Sequence, residues 1–200
     1  MIDQIDWQLL ATAVDYYKSL GFEYVEVPWK VSVDSAKVTC PSDGILEMSD
    51  DLVLIASAEQ GFIDLVRDGL LPRDKGGVNY VACTPCFRVQ DAERSILHHP
   101  YFMKVELFVR LENEDQGDST VKELMHKARR LMGMNGAIPE VRKFDDGTVD
   151  LEIDGIEVGS YGWKRHRDVG LWAYGTGLAL PRFSQALEFT APADKIVSKE

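Results

Sequence analysis

Two hundred residues, 45% hydrophobic and 10% aromatic, can bury one substantial core, so a single domain over 1–200 is expected. Thirty-three acidic against 22 basic residues leave a formal net charge of −11, which opposes loose binding to a phosphate backbone and makes DNA an unexpected partner. No apolar run approaches the ~20 residues that span a bilayer, the start MIDQIDWQLL lacks leader character, and three cysteines make no disulfide framework, so a cytoplasmic protein with no membrane partner is expected.

In chain order, Ile5, Leu9, Ala13, Tyr16 and Tyr17 recur at helical spacing and Gly21 follows as a stop, predicting a helix over 4–19. FEYVEVP alternates like a strand that Pro28 closes. Helices are predicted over 59–71 and 119–132, strands over 80–90, 101–110, 148–154 and 156–161, and a final helix from about 178 to 189. The charged stretch LENEDQGDST, 111–120, is expected to join two layers of one domain. Short connections between strands, with helices spaced among them, imply an α+β fold: an antiparallel sheet with helices covering one face. The other face is then free to hold a ligand.

Alternation along two strands tests that idea. In YVACTPCFRVQ one side carries Thr84, Cys86, Arg88 and Gln90, and in YFMKVELFV one side carries Phe102, Lys104, Glu106 and Phe108. The opposite sides are apolar throughout. A face with arginine, glutamine, lysine, glutamate and phenylalanine suits a charged ligand with a flat ring, or else is an ordinary half-solvated surface.

In VDLEIDGIEVGSYG, 149–162, Asp154-Gly155 has the character of a type I′ turn, so Glu152 is expected opposite Glu157 and Asp150 opposite Gly159. Three carboxylates on one face repel unless a cation compensates them. Oxygen donors without thiols suit Mg²⁺, which keeps water and phosphate ligands; the alternatives are a solvated face or a partner from KRHR, 164–167. In YGTGLALPRFSQAL, 174–187, Gly175 and Gly177 would let a ring or phosphate chain approach the backbone at a helix N-terminus, with Arg182 about one turn in, or would only permit close packing. Arg88 and Arg182 from separate elements, with carboxylates between, form the kind of arrangement that grips a triphosphate and its metal.

These stretches, in this order, resemble the catalytic core of the class II aminoacyl-tRNA synthetases, most closely the seryl enzymes in some parts and the aspartyl/asparaginyl group in others. LATAVDYYKSLGFEYVEVP is similar to the family's first motif, whose proline, here Pro28, implies a homodimer interface with a second apolar stripe of Trp7, Leu10 and Val14. CFRVQDAERSILHHPYFMKVE resembles the second motif. It implies that Arg88 holds the α-phosphate of ATP, Phe102 stacks on adenine, and His99 or Arg94 reaches the γ-phosphate; Gln90 stands where the family usually has glutamate. GTGLALPR resembles the third motif, so Arg182 would cover the other face of adenine and touch the γ-phosphate, with Gly175 and Gly177 beside the nucleotide.

IASAEQGF resembles the seryl Thr-x-Glu element, which implies that Ser57 and Glu59 receive the substrate's α-amino group, with Glu106 and Gly159 also at the amino acid. DLEIDGIEVGS resembles the metal-holding strand pair, making Glu157 the main Mg²⁺ ligand with help from Asp150 and Ser160. The function so implied is amino acid activation with ATP and Mg²⁺. The chain ends soon after the third motif, leaving no room for an anticodon-binding domain, so a transfer RNA partner is doubtful and a carrier protein is the expected acceptor. A catalytically silent binding module, or a transfer RNA-charging subunit with its RNA-binding part on another chain, are the alternatives. Some relatives hold zinc through cysteine; Cys83 and Cys86, three apart on a strand, point to opposite faces and make a poor zinc pair. His98 and His99 are expected in a loop near phosphate.

Overall fold

A computed structural model of the protein describes residues 5–40, 46–49, 51–73, 75–88 and 97–190. Ten strands, β1 (Glu23–Tyr24), β2 (Lys30–Ser32), β3 (Leu46–Ser49), β4 (Leu52–Leu54), β5 (Asn79–Phe87), β6 (Tyr101–Arg110), β7 (Glu140–Lys143), β8 (Val149–Ile153), β9 (Ile156–His166) and β10 (Gly170–Leu180), form two sheets among the described residues. The helices are α1 (Trp7–Ser19), α2 (Val33–Ala36), α3 (Ala58–Arg67), α4 (Gly117–Met134) and α5 (Arg182–Thr190). The large sheet runs β1-β5-β6-β10-β9-β8-β7 and is antiparallel apart from the short parallel pairing of β1 with β5. A second sheet of order β2-β4-β3 lies to one side with α2.

One face of the large sheet is covered by α1, α4 and α5. Helix α1 starts where the Asp6 carboxylate accepts from the Leu9 N–H at 2.8 Å, and buries Leu10, Ala13 and Tyr17 on one stripe. It stops at Gly21, whose φ of +88° no β-carbon opposes. The Tyr17 hydroxyl donates to the Gly177 carbonyl at 3.0 Å, tying α1 to β10. Val105, Leu107 and Val109 of β6 share the main core with Leu124, Ala128 and Leu131 of α4, with α1 over β5 and β6 and α4 over β9 and β10, so the apolar sides of the strands lie under helices as their alternation requires.

The sheet's other face is only partly covered. Phe62 of α3 stacks on Phe108 at 4.9 Å between centroids, and Phe108 on Trp172 at 6.1 Å, which fixes α3 over one end of the sheet. The small sheet and the segment after it flank the remainder, and a hollow is left above β6, β9 and β10.

Several expectations change in the folded chain. The strand expected over FEYVEVP pairs only at Glu23–Tyr24, because after the Val25 N–H bonds the Val81 carbonyl the chain departs towards the second sheet. The helix expected to 71 ends at Arg67, where Gly69 takes a φ of +73°. Helix α4 begins at Gly117, inside the supposed connector, behind a 3₁₀ turn over Glu114–Gln116. The strand expected to end at 161 runs to His166 because it pairs with β10, and the final helix starts at Arg182 rather than near 178. Leu178 and Leu180 instead continue β10 opposite Val105 and Met103 of β6, fully buried, where no helix would fit. On α1 the second apolar stripe reduces to Trp7: Leu10 is core and Val14 packs against it, because the covered face of this helix is wider than the periodic residues alone implied.

Candidate active site

A cavity of about 710 Å³ opens on the partly covered face of the large sheet, within the range of pockets that hold small ligands. Arg88, at the end of β5, and Arg182, the first residue of α5, both line it, together with Phe102 and His99. Arg88 donates its Nε–H to the Ala56 carbonyl at 3.0 Å and sets its guanidinium 5.3 Å from the Phe102 ring centroid, a cation–π contact at the cavity wall. Arg182 reaches the Leu97 carbonyl at 3.5 Å, and His99 Nε2 lies 3.2 Å from Gln185 Oε1. Gln90 and Arg94 lie outside the described residues.

Of the two readings open for Gly175 and Gly177, ligand approach and close packing, the surroundings favour packing. A β-carbon on Gly175 would fall 2.4 Å from Tyr161 Cδ1, and one on Gly177 2.8 Å from Tyr17 Cε2. Both rings belong to the core beneath the sheet, so these glycines admit close packing, and it is Tyr174 and Thr176, facing the other way, that line the cavity.

Two carboxylates, Glu59 and Glu106, also line the cavity. Ser57 caps α3, its oxygen accepting from the Glu59 N–H at 3.3 Å, and its hydroxyl donates to Glu106 Oε2 at 2.5 Å. Glu106 Oε1 receives Lys104 Nζ at 2.9 Å. Glu59 is buried and takes the Trp172 indole N–H at 2.7 Å and Lys164 Nζ at 3.3 and 3.4 Å. Burial pushes the Glu59 carboxyl above its usual value; the Lys164 ammonium pulls it back, Glu106 adds to the rise, and the indole hydrogen bond lowers it. Lys164 and Trp172 were not expected here. They are opposite one another on β9 and β10, a register that the sequence does not disclose because its strand pattern over 156–161 stops short of Lys164 and no alternation marks 170–173.

Glu157 lines the cavity, whereas Asp150 and Glu152 are not part of its lining. Glu152 pairs with Glu157 across the β8–β9 hairpin, whose Asp154 and Gly155 have φ of 48° and 79°, as a type I′ turn demands. Asp150 stands opposite Ser160, not Gly159, because an extra residue on β9 shifts the register between Leu151 and Glu152. The compensating cation for Glu152 is Arg142 on β7, at 3.1 Å, and not the KRHR stretch: Lys164 goes to Glu59, Arg165 to Glu114 and Arg167 to Asp168. Burial raises the Asp150 carboxyl above its usual value, the Ser160 hydroxyl bond lowers it, and Glu157 and Glu152 raise it further. Asp150 Oδ1 is buried with no hydrogen-bond partner among the described residues. No group of three His, Cys, Asp or Glu is gathered for a metal among the described residues. Two carboxylates and a hydroxyl, one oxygen of which is buried and unsatisfied, nevertheless fit Mg²⁺, which takes few protein ligands. Cys83 and Cys86 are poor metal ligands by their surroundings, since burial pushes both thiols up to about 11.

The fold has counterparts among solved structures. The structure superimposes on a pyrrolysyl-tRNA synthetase of Desulfitobacterium hafniense with a TM-score of 0.73, covering 92% of this chain and 69% of that one at 16% identity. A cytoplasmic serine-tRNA ligase of Naegleria fowleri, solved in complex with AMP, matches with a TM-score of 0.70 over 90% of this chain and 46% of that one, also at 16% identity. This is the class II aminoacyl-tRNA synthetase catalytic fold. In sequence, a serine–tRNA ligase of Staphylothermus marinus is 32% identical over 137 residues, 64% of this chain and 30% of the relative. A second serine–tRNA ligase, of Clostridium acetobutylicum, is 24% identical over 143 residues, 64% of this chain and 33% of the relative. The chain thus spans about a third of the length of these curated relatives. No family model matches it. Within the class II fold, the cavity lies on the exposed side of the sheet, between the end of β5 and the start of α5.

Proposed function

We infer that the protein activates an amino acid with ATP, forming an aminoacyl adenylate that is passed to an acceptor such as a carrier protein. The observation that carries this reading is the convergence of Arg88, Phe102, Arg182, Ser57, Glu59 and Glu106 on one cavity. Phe102 and Arg182 would sandwich adenine, and Arg88 would neutralise the α-phosphate. The ammonium of the amino acid would go to Glu59. A carboxylate oxygen then attacks the α-phosphorus, the α–β phosphoanhydride bond breaks, and pyrophosphate leaves with the electron pair. No side chain needs to act as nucleophile; the site contributes alignment and charge. Glu157, Ser160 and Asp150 would hold a magnesium ion, which offsets negative charge on the phosphates when bound.

The test is amino-acid-dependent exchange of labelled pyrophosphate into ATP. Arg88→Ala should reduce exchange by about 100-fold or more, the scale of losing a preorganised charge stabiliser. If the unaltered protein gives no exchange with any standard amino acid, the protein is a binding module of the same fold and the activation reading is lost.

A further inference from the structure

Glu59, the group that would receive the substrate ammonium, already carries an ammonium. Lys164 reaches it from β9 with Nζ 3.3 and 3.4 Å from the two carboxylate oxygens, and rests 4.4 Å from the centre of the Tyr174 ring. An arriving amino acid therefore sets two cations on one carboxylate. The charge of Glu106 is already matched by Lys104 at one oxygen, and its other oxygen accepts from Ser57, so it brings no spare negative charge to the pair. A substrate with a neutral side chain leaves Lys164 in a partly buried pocket with a shared counter-charge, which is costly. A substrate with a side-chain carboxylate brings the missing anion: its ammonium takes Glu59, and its carboxylate takes Lys164, which the Tyr174 ring face keeps at the wall.

We propose that this cavity selects an amino acid with a carboxylate side chain, aspartate or glutamate, and that Lys164 is the residue that recognises it. The proposal rests on the activation reading for its reaction but not for its binding. Calorimetric titration of the purified chain with Mg²⁺ and a non-hydrolysable ATP analogue would compare aspartate and glutamate with asparagine, glutamine, alanine and serine. The acid should bind at least about tenfold tighter than its isosteric amide, the factor expected for one well-placed charge pair. Lys164→Met should erase that difference and Lys164→Arg should keep most of it, with circular dichroism and melting curves checking that each variant folds. The proposal falls if the amide binds as well as the acid, if the preference survives Lys164→Met, or if none of the six amino acids binds. Pyrophosphate exchange separates the two ideas. Exchange with serine or alanine alone keeps activation and overturns the specificity, whereas selective binding of the acid without exchange supports the specificity and overturns activation.

Discussion

Asp150 sits on β8 with one carboxylate oxygen shut from water and given no donor among the described residues. Its pKa is raised above the ordinary 3.8, first by burial, so the folded chain holds this proton more tightly than the unfolded one. The stability it contributes is complete below 3.8 and is lost as the pH rises through the raised folded value. Asp150→Asn should therefore raise the melting temperature at pH 7 in EDTA, show no gain near pH 3, and abolish any stabilisation by added Mg²⁺; scanning calorimetry at the two pH values checks all three. Gly175 makes the opposite kind of statement. A methyl group there meets the Tyr161 ring at 2.4 Å in a filled core, so Gly175→Ala should cost about 1–3 kcal/mol in urea unfolding. Both roles depend on neighbours from other strands, and only the chemical type of each residue could be read along the chain.

At the scale of elements, the N-terminus of α3 joins the Ser57–Glu59 part of the cavity to the sheet. Ser57 caps this helix and also donates to Glu106 on β6, so one hydroxyl sets both the helix entry and the orientation of a pocket carboxylate. Ser57→Ala should destabilise the fold by about 1 kcal/mol, the usual cost of a lost cap, while Ser57→Thr retains it; equilibrium unfolding distinguishes the two. The alternation in β5 and β6 was legible because each strand has one apolar side, and the hairpin turn between β8 and β9 because Asp-Gly favours positive φ. The partner of Asp150 was not legible, since the bulge that moves it from Gly159 to Ser160 leaves no mark in a pattern of period two. Strand β10 was read in part as helix because GLAL has no alternation: it is buried on both sides, and such a run fits either element.

For the whole molecule, large apolar side chains remain on the surface near the first motif: Trp7 is 65% and Trp29 50% exposed. Self-association through this region is the expected outcome of such exposure, although the broad stripe anticipated on α1 is reduced to a single tryptophan. Sedimentation velocity should show a concentration-dependent dimer, and Trp29→Glu should shift it towards monomer. With a net charge of −11, binding of transfer RNA should be weak at physiological salt and vanish as salt rises, which a filter-binding series would measure.

Residue types and their order were enough to determine an α+β fold with a large antiparallel sheet flanked by helices, and to bring Arg88, Phe102, Glu157 and Arg182 forward as candidates, because period, turn chemistry and charge are local properties of the chain. Glu59 came forward only through the family resemblance, and α3 on the second face was not foreseen. The tertiary structure alone decided that Lys164 lies on Glu59, that Arg142 answers Glu152, and that two glycines serve core rings instead of a ligand. Each of those facts depends on which residues of distant strands stand opposite one another, and that register is set by the packing of the whole sheet.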